Sequence, residues 1–328
     1  MDELFEKIFF RAIQKHTTDI HMILKEKLSI RFRVLGELID YDELEHDYGS
    51  KLLNYLKYKA SINTNYRLLP QTGQFSIVYK KKEYYLRVSF LPSTNFESIV
   101  IRILNNHDPL TIDQISYLSE ISSFLHKVPY FSSGLILISG ATGSGKSTTL
   151  YTILDEIIRT QRKNIITIED PIEMRKEHCL QIELNDKLGI TYENTLKQIL
   201  RHDPDVIMIG EIRDSQTAQI ALTCALTGHL VLTTIHASNA FLALKRFENL
   251  GVSKLDIEDV VIASLAQKIK YDHHNNEVII LAELMKKKNI IEYSQNQNIQ
   301  YNTFINNARK LIEEKKYDQE LFEEIGYE

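Results

Sequence analysis

Residues 140–149 read GATGSGKSTT, directly after the apolar run Leu135, Ile136, Leu137, Ile138 and before a helix-patterned stretch from Leu150 to Ile158. The pattern GxxxxGK[ST] between a strand and a helix predicts a loop that wraps the phosphates of a nucleoside triphosphate. Phosphates are multiply charged, so backbone N–H groups must come close to them, and Gly140, Gly143 and Gly145 bring no side chain to obstruct the approach. Ala141, Thr142, Ser144 and Thr148 complete the cradle, Lys146 supplies a point charge for the β- and γ-phosphates, and Ser147 supplies a hydroxyl for Mg²⁺. The helix that follows turns its positive end on the anion. A chance match in a chain of this length has a probability on the order of 1%. Three of the chain's twelve glycines fall in this one loop, so a generally glycine-rich sequence does not account for it.

At 328 residues the chain predicts about two domains. A hydrophobic content of 43% and a charged content of 25% are those of an ordinary soluble globular protein. No segment reaches the roughly 18 consecutive apolar residues of a membrane span, and residues 1–16 carry acids where a signal peptide has a basic start, so a cytoplasmic location is expected. Cys179 and Cys224 form no CxxC pair, which excludes a disulfide framework and a four-cysteine zinc site within one chain. A net charge of −5 argues against a protein whose main task is coating nucleic acid. The runs Lys80-Lys81-Lys82 and Lys286-Lys287-Lys288 read as solvated turns, and residues 301–328 as a solvated helical end.

Leu4, Phe5, Ile8, Phe9, Ala12 and Ile13 recur at helical spacing, predicting an amphipathic helix over residues 2–14. Strands are expected at 19–24, 28–36, 74–80, 83–91 and 97–104, interrupted by a helix over 50–60. The first domain, 1–104, is thus expected to be α+β with a mainly antiparallel sheet, and the polar stretch 105–111 to be a linker. Beyond it the short apolar runs 135–139, 164–169, 205–210 and 229–236 alternate with helical patterns at 147–159, 191–201 and 215–227. This predicts an α/β nucleotide-binding domain over 112–328, with a parallel sheet covered on both faces.

Hydrolysis needs carboxylates to hold Mg²⁺ and to position water. TIEDPIE (167–173) and GEIRD (210–214) both follow strands, where ligands of doubly wound sheets lie. Glu211 ends a segment that resembles a Walker B strand, with Glu in place of the usual Asp, and is assigned to the Mg²⁺ shell, partly through water. Glu173 is the candidate water-activating base, with Glu169 and Asp170 as supporting polar groups. His229 and His236 stand at opposite ends of one strand, about 23 Å apart at roughly 3.3 Å per residue, too far to share a metal. His236, at the carboxyl end, is the candidate γ-phosphate sensor.

GATGSGKSTT, TIEDPIE, GEIRD and TGHLVLTTIHAS together resemble the Walker A, Asp-box, Walker B and His-box motifs of the type II/type IV secretion ATPase superfamily, in the same order. TDIHMIL, RFRVLGEL and RLLPQTGQF are similar to that family's amino-terminal elements, with Leu35 in place of its Asp and Phe96 near a usual Gly. The short form without a four-cysteine zinc element resembles the ComGA-type branch that powers competence pili. The resemblance implies a PAS-like first domain and a RecA-like P-loop ATPase domain, assembled as a homohexamer with ATP and Mg²⁺ at the interfaces. It also implies that Arg87 and Arg102 reach the phosphates held by a neighbouring subunit, since they lie where the family's pattern places its interdomain arginines. The implied partners are a polytopic membrane platform protein and, indirectly, pilins, with no direct contact to nucleic acid and a peripheral position at the inner face of the cell membrane. Alternatives are a pilus retraction or type II secretion ATPase, a DNA translocase, and a scaffold that has lost turnover. The acidic charge disfavours the translocase, and the intact Lys146, Ser147, Glu173 and Glu211 set disfavours the scaffold.

Overall fold

A computed structural model describes residues 1–34, 36–64, 69–104, 110–185, 188–272, 277–314, 317 and 322. The chain divides into two compact units, Met1–Asp108 and Pro109–Glu328. The stretch expected as a linker lies mostly outside the described residues, as do Leu35 and the first two residues of RLLPQTGQF.

The first unit contains α1 (Asp2–Gln14), β1 (Asp19–Leu24), β2 (Lys27–Val34), β3 (Glu37–Glu45), α2 (His46–Lys59), β4 (Gln71–Tyr79), β5 (Lys82–Pro92) and β6 (Glu97–Leu104). Its sheet runs β3-β2-β1-β6-β5-β4 and every neighbouring pair is antiparallel, as the alternation predicts. Ile20, Met22, Ile30, Phe32, Leu86, Val88, Ile99 and Ile101 point to one face and form the core with Phe5, Phe9, Leu52, Leu53 and Leu56 of the two helices. Because side chains alternate along a strand, Asp19, Arg33, Arg87 and Arg102 share the other face. They form one row across β2, β1, β6 and β5, with Asp19 opposite both Arg33 and Arg102, and Arg102 opposite Arg87.

Strand β3 is not among the strands expected from sequence. Its segment ELIDYDELE is mostly exposed and bonded only to β2 at the sheet edge, so it has no buried face to impose an apolar alternation. Its carboxylates discourage a further strand from adding there. Lys80 and Lys81, with φ of 48° and 68°, make the two-residue turn between β4 and β5, the turn expected for that lysine run.

The second unit contains α3 (Ile112–Ile115), α4 (Ser119–Leu125), β7 (Gly134–Ser139), α5 (Lys146–Thr160), β8 (Ile165–Glu169), β9 (Leu180–Glu183), α6 (Tyr192–Ile199), β10 (Val206–Ile212), α7 (Ser215–Leu226), β11 (Leu230–Ile235), α8 (Ala240–Asn249), α9 (Lys254–Val260), β12 (Val261–Asp272), β13 (Glu277–Lys286), α10 (Lys287–Ser294) and α11 (Phe304–Glu313). The sheet order is β13-β12-β7-β11-β10-β8-β9. All its pairs are parallel except β12 with β13. The strand that feeds the phosphate loop is therefore internal. β8 and β11 are buried along their whole length and β7 over all but its first residue, which is why they read as unbroken apolar runs. Strands β9 and β12 were not expected from sequence, and β13 only as a strand-like segment flanked by the second lysine run.

The second lysine run departs from its expected role as a solvated turn. Lys286 Nζ lies 2.7 Å from Glu120, and Lys287 donates to the carbonyls of Asp259, in the last turn of α9, and Val261, just past its end. Unpaired carbonyls at a helix end attract a cation, so the run is a structural tie. At the carboxyl end α11 supplies the expected helix, and most of the chain after it lies outside the described residues.

Candidate nucleotide-binding site

The loop between β7 and α5 takes the shape that its glycines permit. Gly140, Gly143 and Gly145 have φ of 150°, 81° and 85°, a region costly for residues with a Cβ. Only Gly140 is also required by space: a Cβ there would stand 2.3 Å from Ser144 Oγ and 2.5 Å from the Gln267 carbonyl. At Gly143 nothing lies within 4 Å, so dihedral freedom, and not clearance, explains that glycine. Lys146 is buried and donates to the carbonyls of Gly140 at 3.0 Å and Ala141 at 2.7 Å. Burial pushes its ammonium below the usual lysine range, while the carboxylates of Glu211 and Glu173 pull it back up. Both acids named from sequence thus act electrostatically on the phosphate-loop lysine.

The carboxylates divide into two kinds. Glu169, at the end of β8, is buried and accepts from Thr167 Oγ1 at 2.6 Å, from Gln181 Nε2 at 3.1 Å and from the Tyr151 hydroxyl. Burial raises its pKa against the lowering effect of these donors. Glu173 is exposed on the segment between β8 and β9. Asp170 is also exposed, and its Oδ2 lies 3.1 Å from Arg213 Nη1.

Glu211 lies within β10, near its carboxyl end. Its Oε1 lies 3.0 Å from His236 Nε2, and its Oε2 2.9 Å from Arg213 Nε. Arg213 therefore bridges the ends of β8 and β10, and His236 joins β11 to them. His229 stands at the other end of β11, where Nδ1 is 3.0 Å from both the Cys224 carbonyl and Thr227 Oγ1. It staples the turn after α7 and has no place among these carboxylates. Asp214, the last residue of GEIRD, caps α7 by accepting from the Thr217 N–H and hydroxyl, each at 2.8 Å.

Arg87 and Arg102 lie in the first unit, side by side on β5 and β6. Arg102 Nε is 2.7 Å from Asp19 Oδ1, with 57% of the arginine side chain exposed against 7% of the aspartate. Asp19 thus orients one arginine while leaving most of its surface open.

Three residues that shape the site belong to none of the sequence motifs. Tyr151 is 2% exposed and its hydroxyl accepts from the Met174 N–H beside Glu173. A tyrosine on the apolar face of a helix signals a buried partner for its hydroxyl, and that was the available clue. Gln181 fastens the same segment from β9. Gln267 on β12, fully buried, donates to Thr149 Oγ1 at 2.8 Å and so ties β12 to α5.

Hard oxygen donors suit Mg²⁺, which binds through one or two carboxylates plus substrate phosphates. Ser147 and Glu211 fit that requirement. Among the described residues no group of three or more His, Cys, Asp or Glu could hold a metal by itself. The buried Ser144 hydroxyl has no hydrogen-bond partner among the described residues, which leaves a donor within the cradle for an anion.

The chain belongs to the Type II/IV secretion system protein family, whose model matches residues 1–324. It is similar to "Competence protein ComGA" of Bacillus subtilis (strain 168), at 37% identity over 270 residues, covering 82% of this chain and 76% of that protein. The protein of the same name from Halalkalibacterium halodurans is 40% identical over 265 residues, covering 80% and 76%. "Type II secretion system protein E" of Pseudomonas aeruginosa is 36% identical over 268 residues, covering 81% of this chain and 53% of that protein. The superfamily resemblance, read from four motifs, and the competence branch, read from the short form without a four-cysteine zinc element, are borne out. In fold the chain is similar to the Legionella pneumophila ATPase DotB, with a TM-score of 0.79 at 20% identity over 98% of this chain and 95% of that one. It is also similar to the pilus retraction motor PilT with bound ADP, with a TM-score of 0.74 at 24% identity over 94% and 92%.

Proposed function

We propose that this chain is an ATP-hydrolysing motor that powers assembly of a competence, type IV-like pilus for DNA uptake. The observation that carries the reading is the 37–40% identity to competence proteins over four fifths of the chain, a span that includes the phosphate loop and its carboxylates. The second unit is a RecA-like P-loop ATPase domain, supported by the internal strand β7 and the order β12-β7-β11-β10-β8. The first unit is a PAS-like domain, supported by its antiparallel sheet with both helices contributing to one core.

In this reading the backbone of residues 140–147 holds the ATP phosphates, and Lys146 turns from its loop carbonyls to the β- and γ-oxygens. Ser147 and Glu211 would hold Mg²⁺, Glu211 partly through water, and the ion would supply positive charge to the phosphates. Glu173 accepts a proton from the water that attacks the γ-phosphorus, the bond from that phosphorus to the bridging oxygen breaks, and ADP and phosphate leave. His236 reports the state of the γ-phosphate to β11.

Six copies form a ring, and Arg87 and Arg102 of one copy reach the phosphates of the next. The ring works in the cytoplasm at the inner face of the membrane, against a polytopic platform protein that moves pilins, and it touches no nucleic acid directly. No helix among the described residues is long and apolar enough to cross a membrane, which is consistent with peripheral attachment. Type II secretion is the second reading, favoured by the 36% identity to type II secretion protein E, and pilus retraction a third. Deletion of the gene separates these readings: DNA uptake and surface pili are lost while growth is unchanged. Normal transformation in a clean deletion strain sinks the competence reading and leaves the ATPase reading intact.

A further inference from the structure

The segment that carries Glu173 leaves the end of β8 and returns as β9. Two side chains from outside the segment grip it at the residue next to Glu173. The Tyr151 hydroxyl, from α5, accepts the Met174 N–H at 3.2 Å and donates to Glu169 Oε2. Gln181, on β9, donates Nε2 to the Met174 carbonyl at 2.8 Å and to Glu169 Oε1 at 3.1 Å, and its Oε1 accepts the Lys176 N–H at 2.7 Å. Both main-chain polar groups of Met174 are thus taken by side chains that also share one buried carboxylate.

We infer that Tyr151 and Gln181 are positioning residues that set the Glu173 carboxylate by clamping the backbone of Met174. They also couple it to the helix that begins with Lys146, because Tyr151 lies on that helix about 7.5 Å along its axis from the lysine, at 1.5 Å per residue. The inference rests on Glu173 being the water-activating base. Filling the core does not require this arrangement, since a phenylalanine at position 151 would fill the same space without the hydroxyl. A base displaced by about 1 Å from its productive geometry can cost on the order of 10²-fold in rate, so a clamp of two side chains is of catalytic consequence.

The test uses the purified full chain, with kcat and KM from phosphate release and binding of a fluorescent N-methylanthraniloyl ADP. Tyr151→Phe and Gln181→Met are each measured alone and in a Glu173→Gln background. Each single variant should lower kcat about 10-fold, part of what full misplacement costs. KM and ADP binding should stay within about twofold, and each variant should lower the rate less than about twofold further once Glu173→Gln is present. An equal loss in both backgrounds, or a rise in KM with kcat unchanged, overturns the inference, because either means that the residues do not act through Glu173. If Tyr151→Phe does not fold, Gln181→Met at its half-buried position carries the same comparison. A wild-type rate in Glu173→Gln alone removes the base assignment itself, whereas a wild-type rate in both clamp variants beside a slow Glu173→Gln removes only the clamp.

Discussion

His236 places its Nε2 3.0 Å from Glu211 Oε1, joining the carboxyl ends of the adjacent strands β11 and β10. Arg213 takes the other oxygen of the same carboxylate and reaches on to Asp170, so the ends of β8, β10 and β11 are linked by one chain of polar side chains. A change at any one of these groups redistributes the partners of the next.

Removing His236 tests whether that link serves turnover. His236→Ala leaves Glu211 held by Arg213 alone, so nucleotide binding should persist while kcat falls about 10-fold or more, the pattern of an interaction made in the transition state. An unchanged kcat in steady-state assays would show that His236 is only an ion-pair partner.

Lys146→Ala should abolish hydrolysis and weaken nucleotide binding, because the γ-phosphate loses its charge partner. Wild-type turnover in the purified variant would refute the phosphate-loop assignment.

Glu173 and Glu169 should respond differently to the same change. Glu173→Gln is expected to retain ATP while slowing hydrolysis by about 10² to 10⁴, the range for a positioned general base. Glu169→Gln puts an amide N–H₂ opposite donors in a buried site and should lower unfolding stability by about 1–3 kcal/mol in urea titrations. Should Glu173→Gln turn over normally and Glu169→Gln not, the base is the buried carboxylate.

Asp214 makes a prediction about pH. Its carboxyl is held below its ordinary value of 3.8 chiefly by the Thr217 N–H and then by the Thr217 hydroxyl. A depressed folded-state pKa contributes stability that is present above the unfolded value and lost as pH falls through the folded one. Asp214→Ala should therefore cost about 0.5–2 kcal/mol at pH 7, the usual range for a helix cap. Denaturation curves of the two proteins should begin to approach each other as pH falls past the unfolded value of 3.8 and should converge only below the depressed folded-state value. A difference that stays constant down to pH 3 would contradict this origin.

Subunit mixing tests whether the site is shared between copies. Arg102→Ala and Lys146→Ala proteins, each weak alone, should recover part of the ATPase activity when coassembled, since a Lys146→Ala subunit can lend its arginine to an intact phosphate loop. Arginine suits the task because its planar fork holds two phosphate oxygens while staying charged. Wild-type activity in both Arg87→Ala and Arg102→Ala would rule the role out.

The phosphate loop was legible in the sequence because its chemistry is local: consecutive residues supply the glycine dihedrals, the lysine and the hydroxyl. Strands β7, β8, β10 and β11 were legible because burial on both faces leaves apolar runs. Edge strand β3 was not, having no buried face, and neither was β12 or its long antiparallel pairing with β13. What only the tertiary structure decided is partnership. Gln267 and Thr149 bond across 118 residues of sequence, and Tyr151 meets Glu169 and Met174 only because α5 packs where β8 ends. Glu283 accepts the first N–H groups of both α8 and α11, from Ala240 at 2.6 Å and Phe304 at 2.9 Å. A residue's type announces that it needs a hydrogen-bond partner when buried, but the partner comes from another element, and only the packing of those elements selects it.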